Sequence, residues 1–137
     1  MRLRLFIVLL LGAALLSANA DAAVKLQTVA RKGVKTSSRS ATGSCGFKND
    51  YSGRDDLLLV CSGSNGTAKA RYDFYLPKNV YGKPTMHVYG QKLCCASSTI
   101  KKRLIFVTAR HYRIVVSVAK RTRYDVRSVS LSYYVKT

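Results

Sequence analysis

The sequence contains no glutamate and no tryptophan, and it has only two prolines and two histidines in 137 residues. All six acidic residues are aspartate, set against 24 lysines and arginines. With so few acids and imidazoles, little is left for acid–base chemistry. There is also no Gly-x-Ser-x-Gly nucleophile turn and no His-rich metal motif. These gaps argue against an enzyme. The one exception to weigh is a small basic ribonuclease using His87 and His111 as an acid–base pair. The two lie far apart in the chain, and no motif surrounds either of them.

A second absence is of long apolar runs. Residues 5–16 form the only one, broken by Gly12 and preceded by Arg2 and Arg4. A membrane-spanning helix needs about 20 apolar residues, so this segment is too short for that role. Followed by Ala18-Asn19-Ala20, it reads as a secretory signal peptide over residues 1–20, with cleavage before Asp21. Removal of Arg2 and Arg4 still leaves 22 basic and 6 acidic residues, so the charge belongs to the exported chain. Of the order of 115 residues remain, enough for one domain with a modest core.

The third absence is helical periodicity; what stands in its place is strand text. Residues 57–61 are a continuous apolar run of strand length, suited to a buried position. Residues 68–76 alternate, with Ala68, Ala70, Tyr72, Phe74 and Leu76 on one face and Lys69, Arg71, Asp73 and Tyr75 on the other. Between these runs, Asn65-Gly66 is a strong hairpin signal, because both residues accept positive φ. Pro77 and Pro84 bracket an expected loop. Further strands are expected at 85–89, 104–109, 112–118 and 128–135. In the last, Val129, Leu131, Tyr133 and Val135 face inward, and Val126 is out of phase, which predicts a bulge near Arg127 or Ser128. The fold class is therefore all-β: an antiparallel sandwich or barrel of six to seven strands. The β domain is expected over residues 45–137. Residues 21–44 read as a basic flexible segment with room for a short edge strand at 24–29.

Cys45, Cys61, Cys94 and Cys95 all fall in the exported part, and an even count there predicts two disulfides. Neighbours on a strand point to opposite faces. Cys94 and Cys95 are therefore expected to pair separately with Cys45 and Cys61. The spacing does not suit a zinc site, and no cofactor is implied.

Three basic runs stand out: Lys101-Lys102-Arg103, Arg110-His111-x-Arg113, and Lys120-Arg121-Thr122-Arg123 with Arg127 beyond it. Closely spaced cations can meet successive sulfates of a chain polymer, and arginine adds bidentate geometry toward their oxygens. If residues 104–118 form a hairpin, the first and third runs meet at one end as a patch of loop cations. The expected function is a secreted binding protein. It would engage an extracellular polyanion (a heparin-like glycan, matrix or anionic cell surface) through Lys101, Lys102, Arg103, Lys120, Arg121, Arg123 and Arg127. A protein receptor is a further partner to consider. The alternative is a cationic host-defence or toxin-like protein acting on anionic membranes, which would also need exposed apolar surface. Nucleic acid is a poor fit as a physiological partner, because Tyr72 and Tyr112 are expected in the core rather than as stacking platforms.

Two features stand apart from the charge. Asn65-Gly66-Thr67 is an N-glycosylation sequon at an expected turn. Asp50, Asp55 and Asp56 gather half the acids; they offer oxygens to calcium but fit better as turn residues capping local backbone donors.

Overall fold

Apolar–polar alternation marks the strands that carry the core. The computed structural model describes residues 23–94 and 99–137, and these form nine strands. They are β1 (Val24–Lys32), β2 (Ser38–Ala41), β3 (Cys45–Asn49), β4 (Leu57–Cys61), β5 (Thr67–Tyr75), β6 (Val80–Cys94), β7 (Lys101–Thr108), β8 (His111–Ala119) and β9 (Arg123–Lys136). No helix among the described residues is long and apolar enough to cross a membrane. The expected signal peptide, residues 1–20, lies outside the described residues.

The strands make two antiparallel sheets. In the five-stranded sheet β9 is central. It pairs with β6 along one side, and on the other with β4 near its start and β1 along its remainder, with β3 beyond β4. The four-stranded sheet runs β2-β5-β8-β7. Between them lies a core of Leu57, Leu59 and Cys61 from β4, Ala68, Ala70, Tyr72 and Phe74 from β5, Ile114, Val116 and Val118 from β8, and the inward residues of β9. The expected faces of β5, β8 and β9 are those observed. A strand with one buried face fixes its register through its period of two, so the pattern leaves little freedom. The expected bulge is also present. The β6–β9 register shifts between Tyr89 and Gly90, which are opposite Ser128 and Val126, so Arg127 is the extra residue. The phenol of buried Tyr72 donates to the Gly33 carbonyl at 2.6 Å, and burial pushes that phenol's pKa up.

The structure corrects several expectations. Nine strands replace six to seven. Residues 24–32 and 38–41, read as a flexible basic segment, give one strand to each sheet. β1 is mostly exposed and gains its order from nine backbone pairings with β9 rather than from an apolar face. Pro84 does not end a strand but lies within β6. It falls in a break of the β6–β9 register between Tyr81 and Thr85, on a strand that among the described residues pairs with β9 alone, where a missing donor costs little. Asn65-Gly66 forms a turn with Gly66 at φ 93°, yet not a hairpin, because β4 and β5 belong to different sheets. The turn packs on the β2–β3 connection instead: a Cβ on Gly66 would meet the Thr42 carbonyl oxygen at 2.0 Å.

The disulfide expectation also changes. Cys45 bonds Cys61, its register partner on the adjacent strand. That takes from Cys94 and Cys95 the partners expected for them. One disulfide is in view rather than two; Cys94 is not a free thiol, and Cys95 lies outside the described residues. Adjacent strands β3 and β4 bring the two sulfurs together without any help from a third strand, which sequence spacing does not reveal.

Candidate functional site

On the outer face of the four-stranded sheet, alternation places every second residue of β5, β8 and β7 toward solvent. On β5 these are Lys69, Arg71 and Asp73, on β8 Ser117, Val115 and Arg113, and on β7 Lys101, Arg103 and Ile105. The registers align them in rows. Lys69 and Lys101 both lie opposite Ser117, Arg71 and Arg103 both lie opposite Val115, and Asp73 and Ile105 both lie opposite Arg113. The result is an open trough of about 530 Å³ with Lys69 and Arg71 on one wall, Lys101 and Arg103 on the other, and Val115 and Ser117 between them. Lys120, just past the end of β8, lines the same cavity, along with Thr67 and Thr99. Arg71 is steadied by its hydrogen bond to the Ser40 hydroxyl of β2, at 3.1 Å.

Among the described residues no carboxylate lines this cavity. The acid on the same face, Asp73, is already engaged. Arg113 Nε donates to its Oδ1 at 2.7 Å. His111 Nε2 lies 3.2 Å from the same oxygen, close enough for an ion pair when protonated but not aligned as a hydrogen bond. Burial pushes the Asp73 carboxyl up, but Arg113 and His111 outweigh it and hold the pKa below the ordinary value. The ring of Tyr75 stacks on His111 at 4.3 Å between centroids.

The expected loop cluster divides. Lys101 and Arg103 line the trough with Lys120, whereas Lys102 turns away and places its ammonium 5.2 Å from the Tyr124 ring centroid. Residues 101–103 are strand rather than loop, so their side chains alternate. Arg121 and Arg123 line a different cavity of about 360 Å³ with Val60, Cys61, Ser62 and Cys94. Arg127 lies beside Ser52 and Arg54, and donates to Gln91 Oε1 at 3.3 Å. The reason for the split is that β8 and β9 belong to different sheets, so the Lys120–Arg121 turn sends its two side chains to different surfaces. Both turn residues have positive φ, 52° and 54°, a conformation favoured by glycine and asparagine. Lys69 and Arg71 complete the trough, although alternation alone marks them only as part of a solvent face. The available signal was a repeated basic-x-basic pair, Lys69-x-Arg71 and Lys101-x-Arg103, which a strand puts on one face.

The remaining candidates have separate settings. His87 and His111 stand in different sheets, so the structure does not bring them together as a pair. Asn65 is exposed, and its carbonyl accepts from Ser44 N and Oγ. The aspartates of residues 50–56 act within the protein. Lys32 Nζ donates to Asp55 at 2.8 Å, which lowers the Asp55 pKa and raises that of Lys32. The fully buried Asp56 carboxylate accepts from Ser52 N and Oγ and from Asp125. Burial pushes the Asp56 carboxyl up, but these hydrogen bonds hold it below its ordinary value. Burial and the Asp56 carboxylate push Asp125, 2 % exposed, up to about 7. Among the described residues no group of three or more His, Cys, Asp or Glu is gathered as a metal ion would require.

The chain matches no known family model, no curated protein and no solved structure.

Proposed function

We propose that this protein is exported and binds an extracellular polyanion, such as a heparin-like glycan, matrix or an anionic cell surface, through the trough on the four-stranded sheet. One observation carries the reading: five cations surround a single concavity to which, among the described residues, no carboxylate contributes. The like charges of Lys69, Arg71, Lys101 and Arg103, gathered on one face, repel one another, and an incoming polyanion relieves that repulsion while releasing its own counterions. Two arginines add bidentate geometry toward sulfate or phosphate oxygens. The site is thus a sheet face supplied by β5 and β7 rather than a cluster of loop cations. The Cys45–Cys61 disulfide is compatible with an extracellular setting.

The test compares elution from heparin with elution from a sulfonate resin. Replacing Lys69, Arg71, Lys101 and Arg103 by serine should lower the salt needed on heparin far more than removing Lys25, Lys78, Lys83 and Lys92, which lie outside the trough. Equal losses from the two variants would refute the site.

A second reading, action on anionic membranes, has one feature in its favour. Phe106 and Val107, near the β7–β8 turn, are 64 % and 40 % exposed, with Arg110 in the turn itself. Apolar side chains beside a cation suit insertion at a headgroup boundary. Dye release from anionic vesicles that is lost in Phe106→Ser/Val107→Ser would favour it; no release from vesicles would refute it.

A further inference from the structure

We infer that the trough accepts a single unbranched chain with negative groups along both edges, a sulfated polysaccharide, lying along β8. The inference rests on the polyanion reading above and specifies the form of the ligand. Its basis is the spacing of the cations. β5 and β7 flank β8, so the two walls stand about 9.5 Å apart at the backbone, twice the usual strand separation. Within each wall the lysine and arginine are two residues apart, about 7 Å along the strand. Four cations therefore mark the corners of a rectangle rather than a line.

A line of cations would serve a ligand that is anionic on one side. A rectangle with a low floor serves one that is anionic on both. The floor is made by Val115 and Ser117, whose side chains are short, and among the described residues the Ser117 hydroxyl has no hydrogen-bond partner. It can exchange hydrogen bonds with the hydroxyls of a sugar lying over it. Single-stranded nucleic acid needs aromatic platforms for its bases, and among the described residues no aromatic lines this cavity. A duplex is a rigid cylinder whose phosphate ridges stand apart across grooves of about 6 and 12 Å, so it would rest on the walls without using the floor.

The trough also has a direction. Lys120 extends the positive field at one end. At the other, the next row pairs Arg113 with Asp73, so the field falls away there. A chain entering from the Lys120 end meets both walls before reaching the neutral row.

The experiment measures heparin-oligosaccharide binding to the full chain against salt concentration. The variants are Lys69→Ser/Arg71→Ser, Lys101→Ser/Arg103→Ser, the combination of all four, and Lys83→Ser/Lys92→Ser as a control equal in charge to each double variant. All these side chains are at the surface, and far-UV circular dichroism verifies that each variant folds. Either wall variant should lower the salt slope by about one unit per cation removed. The two walls should be interdependent, because a chain that has lost one wall can no longer bridge to the other. Duplex DNA binding should fall alike in wall and control variants. If neither wall variant differs from the control on heparin, the polyanion site itself is wrong. If the walls matter but their effects simply add, or duplex binding falls as steeply as heparin binding, the site stands and the single-chain inference is overturned.

Discussion

Asp125 lies in the middle of the five-stranded sheet, opposite Leu58 of β4 and Gln91 of β6, and beside the buried carboxylate of Asp56. Its Oδ1 is buried with no hydrogen-bond partner, as suits a carboxyl that is neutral rather than ionised. The folded-state pKa is about 7, against an ordinary value of 3.8. Between those limits the folded chain holds a proton that the unfolded chain has lost, so this group makes stability fall as pH rises. Asp56 is shifted the opposite way, and its contribution changes only below 3.8, so the two windows do not overlap. A shift of about three units at roughly 1.4 kcal/mol each sets a ceiling of about 4 kcal/mol on the penalty above pH 7. The opposing pull of Arg127 is already contained in that shift, and relaxation around the buried pair brings the penalty below this ceiling. Asp125→Asn keeps the shape and a donor toward Asp56 but cannot ionise. Urea denaturation of both proteins between about pH 5 and pH 8 should show the variant's advantage growing with pH and levelling off above about pH 7. The stability difference cancels other titrating groups. If Asp125 is instead an anion held by Arg127, the variant will be the less stable one at pH 8, and the protonated pair is wrong.

Three further outcomes follow from the packing. Replacing Cys45 and Cys61 by alanine opens a loop with a sequence separation of 16 and should cost about 3 kcal/mol in chemical denaturation; a loss under about 1 kcal/mol would contradict the cross-link's role. Lys120→Asn/Arg121→Gly relieves two positive-φ residues. It should raise stability by about 1 kcal/mol net of glycine's chain entropy, or about 4 °C in Tm, while weakening heparin binding through loss of the Lys120 charge; an unchanged or lower Tm would show that the turn is not strained. Tyr72→Phe deletes the buried phenol's bond to the Gly33 carbonyl and should cost about 1–2 kcal/mol, with thermal unfolding as the readout; no loss would mean that water replaces the phenol.

What could be read in advance was whatever one buried face imposes on a strand. β5, β8 and β9 alternate because their inner residues fill the core, and the bulge at Arg127 shows as a break in that alternation. β4 has no alternation for the complementary reason. Leu58 lies outside the core cluster yet is only 1 % exposed, so both faces of the strand are buried. The strands that escaped notice are held by partners rather than by side chains. β1 exposes most of its residues, and β2 is four residues long against β5. β6 carries Pro84 through a register break that an edge position tolerates. The trough was half visible for a related reason. Reading residues 101–103 as a loop makes three adjacent cations one patch, whereas a strand sends Lys102 to one side and Lys101 and Arg103 to the other. Pairing them with Lys69 and Arg71 requires the β5-β8-β7 order, which is a tertiary fact.

The excess of positive charge is therefore less uniform than its count implies. Arg31 reaches over the ring of Phe74 at 5.1 Å, closing the sandwich with a guanidinium where an apolar side chain would otherwise serve. Arg39 lies over Phe47 and Lys136 over Tyr81, their stems covering apolar surface while the charged ends stay wet. Lys32 and Arg113 are committed to Asp55 and Asp73. These residues keep the protein basic without forming a place for a polyanion to dock. If all the cations acted as a diffuse cloud, binding would weaken gradually with each one removed, whatever its position. If the trough is the site, the salt slope reports about five cations, and removing four of them leaves a protein that is still strongly basic but binds heparin no better than a charge-matched control surface. Position rather than total charge then decides affinity.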